Sequence, residues 1–102
     1  MNLRILAEAE VEIESARHYL TEKASHLGDR FIADLEETLE TVAERPDSFS
    51  KVETLPDHAP YRRALLSFFR YAVVFEIFSD EVLVVAVTHT SLEPNYWLDR
   101  SS

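Results

Sequence analysis

Three arginines in the second half of the sequence carry the side chains best suited to binding an anion. Arg62 and Arg63 are adjacent, and Arg70 follows a few residues later. A guanidinium group binds a carboxylate or a phosphate through two parallel hydrogen bonds, so this cluster predicts a contact with an acidic partner or with a phosphate. The same arginines can instead pair with the many acidic side chains of the first half of the chain. The sequence leaves both alternatives open.

His89 and Tyr96 are the side chains that could transfer protons. Histidine is the residue that changes charge near neutral pH. Both side-chain types can act as general acids or bases. Each also has a structural alternative. His89 can hold the C-terminal tail through hydrogen bonds, and Tyr96 can pack beside Trp97 as an aromatic anchor.

The sequence offers no basis for metal or thiol chemistry. It contains no cysteine, which excludes disulfides and thiolate catalysis. Its four histidines, at positions 18, 26, 58 and 89, show no spacing typical of a metal site. We therefore expect no metal and no cofactor.

The net charge argues against a general nucleic-acid binder. The formal charge is -9, whereas lysine and arginine supply most of the non-specific affinity for nucleic acid. The imbalance lies in the first half: residues 1–57 carry 6 basic and 14 acidic side chains, and residues 58–102 carry 4 and 5. Any surface that faces an anion is therefore expected in the second half, and direct nucleic-acid binding is not expected.

The first half of the chain has the pattern of a strand and two helices. A short apolar stretch, residues 3–6, predicts a strand. Residues 7–25 predict a helix whose apolar stripe consists of Ala9, Ile13, Ala16 and Leu20, with Glu8, Glu12, Glu22 and Lys23 facing water. Gly28 is expected to stop this helix in a left-handed conformation. A second helix is predicted for residues 29–44, with Phe31, Leu35, Leu39 and Val42 on its apolar stripe.

The second half has the pattern of a β-meander. After an irregular connection that begins at Pro46, three strands are predicted at residues 61–66, 71–78 and 82–89. The last two are almost continuously apolar and rich in β-branched residues, so we expect them at the centre of the sheet. Ser79 and Asp80 stand at the hairpin turn between them. The predicted fold is α+β, with an N-terminal strand and an antiparallel helical hairpin packed on a C-terminal three-stranded antiparallel meander.

Domain count and location follow from length and hydropathy. The 102 residues suit one domain spanning residues 1–102. No apolar run reaches the roughly 18 residues that span a bilayer, and the N-terminal residues do not have the pattern of a signal peptide. We expect a cytoplasmic protein that does not bind a membrane.

Four motifs follow one another in the second half: Tyr61-Arg62-Arg63, residues 67–75, residues 84–89 ending in His89, and Pro94-Asn95-Tyr96-Trp97 with Arg100. Their order and spacing resemble the RelE/ParE family of toxins from type II toxin–antitoxin systems, the plasmid-stabilisation type. The resemblance is closest to the ParE-like branch. Two departures lie in these motifs: Arg70 stands where a proline is common, and Thr90-Ser91 stand where a basic pair is frequent.

The first half is similar to the two helices of the same family, so the resemblance covers almost the whole chain. It implies a bacterial toxin held inactive by an antitoxin encoded next to it. In the ParE-like branch the target is DNA gyrase, whereas RelE-type members are ribosome-dependent mRNA endonucleases. The residues that carry the first-half resemblance are Ala9, Glu12, Ile13, Ala16, Tyr19, Leu27, Gly28, Phe31, Leu35, Arg45 and Pro46.

Comparison with the RelE-type ribonucleases favours binding of a protein target over cleavage of mRNA. Their catalytic arginines would fall at Ala72 and near Thr90, and both positions are neutral. If the chain were such a ribonuclease, the resemblance would leave Arg63, His89 and Tyr96 as its candidate catalytic residues. The expected activity is therefore binding of a protein target, with mRNA cleavage or a non-toxic, antitoxin-binding relative as alternatives. The residues expected to contact the target or the antitoxin are Arg62, Arg63, Arg70, Tyr96, Trp97 and Arg100.

Overall fold

The order of the elements confirms the predicted α+β fold. The computed structural model describes residues 1–92 and 95–100, so the part of the tail motif at Pro94 lies outside the described residues. In chain order the elements are β1 (Asn2–Ile5), α1 (Ala7–Lys23), α2 (Ser25–Glu44), a short 3-10 helix (Pro46–Ser48), β2 (Tyr61–Leu65), β3 (Tyr71–Phe78) and β4 (Glu81–His89).

The four strands form one mixed sheet in the order β1-β4-β3-β2. The C-terminal meander is antiparallel, and β3 and β4 lie at its centre as their apolar sequences predict. Ser79 and Asp80 make the two-residue turn between them, because Phe78 pairs with Glu81; the turn tolerates Ser79 at a φ of 48° in place of glycine. β1 joins the outer edge of β4 in parallel, a pairing that the sequence did not predict.

The helical hairpin covers one face of the sheet. The apolar stripes of both helices lie as predicted: Ala9, Ala16, Phe31, Leu35 and Val42 are buried, and Ile13, Leu20 and Leu39 pack at their margin. They meet the sheet side chains that point toward the helices, among them Val73, Phe75, Val82 and Val84. This layer is the main core of the protein.

The predicted helix stop at Gly28 is wrong. α1 ends at Lys23, Ala24 alone adopts an extended conformation with φ -162° and ψ 135°, and α2 begins at Ser25. Gly28 lies buried inside α2. Its role is close packing: a Cβ at this position would lie 2.0 Å from Thr21 Oγ1 and 3.0 Å from the carbonyl oxygen of Arg17. Glycine therefore allows α2 to approach α1.

A smaller core covers the opposite face of the sheet. Trp97, which is 3% exposed, packs there with Val52 from the connection before β2 and with Val74 from β3. β4 contributes two consecutive residues to this face, Val85 and Ala86. The cause is a β-bulge: Val74 pairs with Ala86, but the next residue, Phe75, pairs with Val84. The C-terminal tail is thus anchored by Trp97, as the sequence predicted.

Candidate functional site

A concave pocket of about 260 Å³ lies on the face of the sheet opposite the helices. We call it the sheet pocket. Arg63 from β2, Ala72 from β3 and Thr88 and His89 from β4 line it, and Thr54 and Trp97 form part of its wall. Ala72 pairs laterally with Thr88 on β4 and with Leu65 on β2. Because Ala72 carries only a methyl group, the sheet is left open at the point where a larger side chain would fill the depression.

Two of the three candidate catalytic residues meet in the sheet pocket. Arg63 and His89 both line it. The backbone N–H of Ser91 donates to Nδ1 of His89 at 3.0 Å, and the Ser91 hydroxyl lies 2.7 Å from the same nitrogen. An acceptor nitrogen carries no proton, so the neutral ring holds its proton on Nε2. The ring of His89 therefore has its hydrogen-bond donor at Nε2, and its Nδ1 contacts lie within the turn that follows β4.

Tyr96, the third candidate, lies on the other side of β4. It lines a second depression of about 240 Å³, which we call the α1 groove. Val11 and Tyr19 of α1 form one wall of the groove, and Leu92 and Tyr96 of the tail form the other. All four are exposed, from 43% for Tyr96 to 65% for Val11. The structure thus places Tyr96 outside the pocket that holds Arg63, whereas His89 lines both depressions. The α1 groove is an apolar channel on the helical side of the molecule.

Glu12 was expected to face water, and this expectation is wrong. Its carboxylate accepts hydrogen bonds from the Tyr96 hydroxyl, from both terminal nitrogens of Arg100 and from the backbone N–H of Val87. The side chains of Glu12 and Arg100 are each 19% exposed. Tertiary contact with the tail overrides the solvated position that helical spacing suggested.

Glu12 and Arg100 together satisfy the edge of β4 where β1 has ended. β1 pairs with β4 only from Glu81 to Val84. Beyond that point Glu12 accepts from the N–H of Val87 at 3.0 Å, and Arg100 Nη1 donates to the carbonyl of Val85 at 3.1 Å. A buried backbone group without a partner is costly. The ion pair thus takes the place of the missing strand and holds the tail against the sheet.

Burial and the hydrogen bonds to Glu12 shift the pKa values of two residues. Burial, with the hydrogen bond to Glu12, raises the pKa of Tyr96 to about 12. The hydrogen bond to Glu12 also raises the pKa of Arg100 above its ordinary value. A phenol with a raised pKa gives up its proton less readily near neutral pH, so Tyr96 is poorly suited to act as a general acid.

The arginine cluster does not pair with the acidic helices. Arg62 donates to the carbonyl of Phe49 at 2.6 Å, which ties β2 to the preceding connection. Arg63 and Arg70 are exposed, and neither forms an ion pair with a carboxylate of residues 1–92 or 95–100. Their guanidinium groups remain available to a partner, while the contact itself stays a prediction.

Sequence reasoning missed Asp34. This residue of α2 is 4% exposed, and its carboxylate accepts three backbone N–H groups from residues 67–69 between β2 and β3. The signal was present, because position 34 falls on the apolar stripe between Phe31 and Leu35. A carboxylate on a buried stripe needs hydrogen-bond donors from another element.

Two kinds of site are absent from the described part of the chain. None of its helices is both long enough and apolar enough to cross a bilayer. Within the same residues, no three histidine, aspartate or glutamate side chains come together in a way that could hold a metal ion.

Comparison with known proteins identifies the family. The family model for the ParE toxin of the type II toxin–antitoxin system parDE matches residues 3–93. A solved structure described as a chromosomal ParDE TA system from P. aeruginosa matches with a TM-score of 0.74, covering 87% of this chain and 95% of that chain. At 10% sequence identity that likeness shows the shared fold. No curated protein sequence matches. Because the family model covers most of the sequence, the chain belongs to the ParE toxin family of type II toxin–antitoxin systems.

Proposed function

We propose that this chain arrests bacterial growth by binding DNA gyrase and is neutralised by an antitoxin encoded next to it. Membership of the ParE family supports the class of activity. The observation that carries the mode of action is the sheet pocket, which holds a single guanidinium, that of Arg63, and the neutral positions Ala72 and Thr90. A site that cleaves a phosphodiester needs several preorganised positive charges around the phosphate. The chain instead has the properties of an inhibitor that binds protein.

The geometry of the proton-transfer groups supports the same conclusion. Tyr96 lies in the α1 groove and donates to Glu12, so it does not share the sheet pocket with Arg63 and His89. Nδ1 of His89 is engaged by Ser91. An acid and a base must both reach the reacting atoms within hydrogen-bond distance. Tyr96 and Arg63 line different depressions, and of the three candidates only His89 lines both.

The α1 groove is the surface that we assign to the antitoxin. Its large exposed side chains are apolar or aromatic, whereas α1 around them is acidic, with Glu8, Glu10 and Glu14 exposed. A partner segment with apolar residues at intervals and basic residues between them would bury the groove and match this charge. Such segments are often disordered alone and become ordered on binding.

Expression and an enzyme assay test the proposal. Induction of this chain alone should stop growth, and co-expression of the neighbouring gene should restore it. Purified chain should inhibit DNA supercoiling by gyrase, and addition of the antitoxin should reverse the inhibition. Absence of a growth defect would favour the alternative of a non-toxic, antitoxin-binding relative.

One observation favours ribosome-dependent mRNA cleavage as a second candidate. Arg63 and His89 line the same pocket, so one cation and one hydrogen-bond donor could both reach a phosphate there. If gyrase is not inhibited, and ribosome-dependent cuts in mRNA occur that are lost in Arg63→Ala, the gyrase proposal is wrong and the ribonuclease is correct.

A further inference from the structure

The loop of residues 66–70, between β2 and β3, displays an aromatic side chain to solvent. We call it the β2–β3 loop. Phe68 is 75% exposed, the largest value among the large hydrophobic side chains of residues 1–92 and 95–100. Its neighbour Phe69 points inward, where its ring packs edge-on against Phe31 at a centroid distance of 5.8 Å. The two consecutive phenylalanines thus have opposite roles: one anchors the loop and the other projects from it.

Asp34 fixes the backbone under Phe68. Its carboxylate lies beneath the loop and accepts the N–H groups of Ser67 at 3.1 Å, Phe68 at 2.9 Å and Phe69 at 3.3 Å. Burial of a charged carboxylate is costly unless hydrogen bonds compensate it. Here all three donors come from the loop, so the geometry of the loop and the burial of Asp34 depend on each other.

Further hydrogen bonds tie the loop to the sheet. The N–H of Leu66 donates to the carbonyl of Tyr71 at 3.0 Å, and the N–H of Tyr71 donates to Phe69 at 2.8 Å. The carbonyl of Arg70 accepts from Thr90 beside β4 at 2.9 Å. A segment held at this many points has little conformational entropy left to lose on binding. Phe68 is therefore exposed on a rigid support.

Two other exposed side chains lie close to Phe68 in the sequence. Leu65, at the end of β2, is 57% exposed. Arg70 is exposed and has no carboxylate partner among the described residues. An aromatic residue beside an arginine is the composition of the residues that dominate protein interfaces. In a chain with a formal charge of -9, this surface is one of the few that would attract an acidic partner.

We propose that the β2–β3 loop is the surface through which this chain binds the protein that it inhibits. Phe68 enters an apolar pocket on the folded target, and Arg70 pairs with a carboxylate at the rim of that pocket. The proposal rests on the proposed function, since it concerns the target contact of the same inhibitor. It assigns the loop to the target and the α1 groove to the antitoxin.

The principal test compares two exposed phenylalanines at opposite ends of β3. Phe68→Ser removes the projecting ring, and Phe78→Ser makes the same change at the β3–β4 end, where Phe78 is 47% exposed. Inhibition of purified gyrase and growth arrest at graded induction are measured for both. Loss of a dominant interface aromatic weakens binding about 30-fold, which is roughly 2 kcal/mol. We expect that loss for Phe68→Ser and wild-type potency for Phe78→Ser.

A charge reversal provides a second, independent variant. Arg70→Glu should reduce inhibition and should make it less sensitive to salt, because it removes an attraction that salt screens. Arg45→Glu makes the same change at the far end of α2 and should leave the potency unchanged. Thermal unfolding and antitoxin binding of each variant show whether it is folded.

The outcomes separate this proposal from the proposed function. If Phe68→Ser and Arg70→Glu arrest growth as strongly as the wild type, the loop is not the target surface and this proposal alone is wrong. If Phe68→Ser loses antitoxin affinity but keeps its toxicity, the loop belongs to the antitoxin and the proposal is overturned. A wild-type chain that does not arrest growth contradicts both. Arrest without gyrase inhibition contradicts gyrase as the target, and the growth assay then decides the role of the loop.

Discussion

Glu12 accepts hydrogen bonds from three other residues of the protein. One carboxylate joins α1 to the backbone of β4, to Arg100 and to Tyr96. Removal of one partner from a buried ion pair is destabilising because the other charge remains without compensation. The role of Glu12 is therefore structural, and the acidic first half of the chain is not a uniformly solvated surface.

The first prediction compares two glutamates of α1, each paired with an arginine. Glu12→Gln keeps the shape of the side chain but leaves Arg100, 19% exposed, without its counter-charge. We expect the free energy of unfolding to fall by about 2 kcal/mol. Glu14→Gln disrupts the exposed pair with Arg17 and should leave the unfolding midpoint unchanged. Urea unfolding measures both, and equal effects of the two variants would contradict the structural role of Glu12.

The second prediction concerns alkaline pH and Tyr96. The pKa of Tyr96 in the folded state is about 12, above the ordinary value of 10.0. Between these values the folded protein retains a proton that the unfolded chain has lost, so stability falls as pH rises from about 10 to about 12. Tyr96→Phe should remove the tyrosine titration near pH 12, followed by near-ultraviolet absorbance, and should reduce this alkaline loss of stability. A titration near pH 12 that persists in Tyr96→Phe would assign it to another tyrosine.

At the scale of the elements, the contact between α1 and α2 depends on one small residue. Gly28 faces Thr21 and the carbonyl of Arg17 at distances that leave no room for a Cβ. An isolated helix would gain about 1 kcal/mol from alanine at an interior glycine position. Packing reverses this preference, so the helical hairpin requires a residue that local propensity disfavours.

The third prediction follows from this packing. Gly28→Ala should destabilise the protein by about 1–3 kcal/mol, the usual cost of overpacking. Thr21→Ala removes the hydroxyl that the new methyl group would meet at 2.0 Å, so the double variant should recover part of the loss. Glu36→Ala, at an exposed position of α2, is the control and should have little effect. Thermal unfolding of the four variants checks the prediction, which requires Gly28→Ala to be the least stable.

At the scale of the whole molecule, the arrangement of apolar and charged surfaces says more about possible partners than the net charge does. The helical side carries the apolar α1 groove amid acidic residues, whereas the opposite side and one end of the sheet carry Arg63, Phe68 and Arg70. Two partners of different chemistry could therefore be bound at different places. A toxin that must recognise both a target and an antitoxin needs such a division.

The fourth prediction tests the antitoxin surface on the intact protein. A ligand that binds only the folded state at 100 times its Kd stabilises it by about 2.7 kcal/mol, which raises the Tm of a domain of this size on the order of 10 °C. We expect this rise with the neighbour-encoded protein. Val11→Glu in the α1 groove should abolish it, whereas Leu65→Glu on β2 should not; both positions are more than half exposed in the free chain. An unchanged response of Val11→Glu would place the antitoxin elsewhere.

The sequence by itself determined the elements and their general order. Nearly continuous apolar runs rich in β-branched residues identified β3 and β4, and helical spacing identified the buried stripes that contain Ala9 and Phe31. These patterns follow from backbone geometry and from burial of the elements. The family resemblance extended this to the fold. Local patterns specify which side of a helix or strand is buried, so they were sufficient to predict the elements and their buried faces.

The tertiary structure alone decided which polar groups meet. Glu12 and Arg100 are 88 residues apart in sequence, and Asp34 holds a loop 33 to 35 residues away; no local pattern encodes such pairs. The same holds for the separation of Tyr96 from Arg63, while His89 lines both the sheet pocket and the α1 groove. Whether these three side chains form one site depends on which face of the sheet each reaches, and the β-bulge at Val85, the path of the tail and the strand order together determine that.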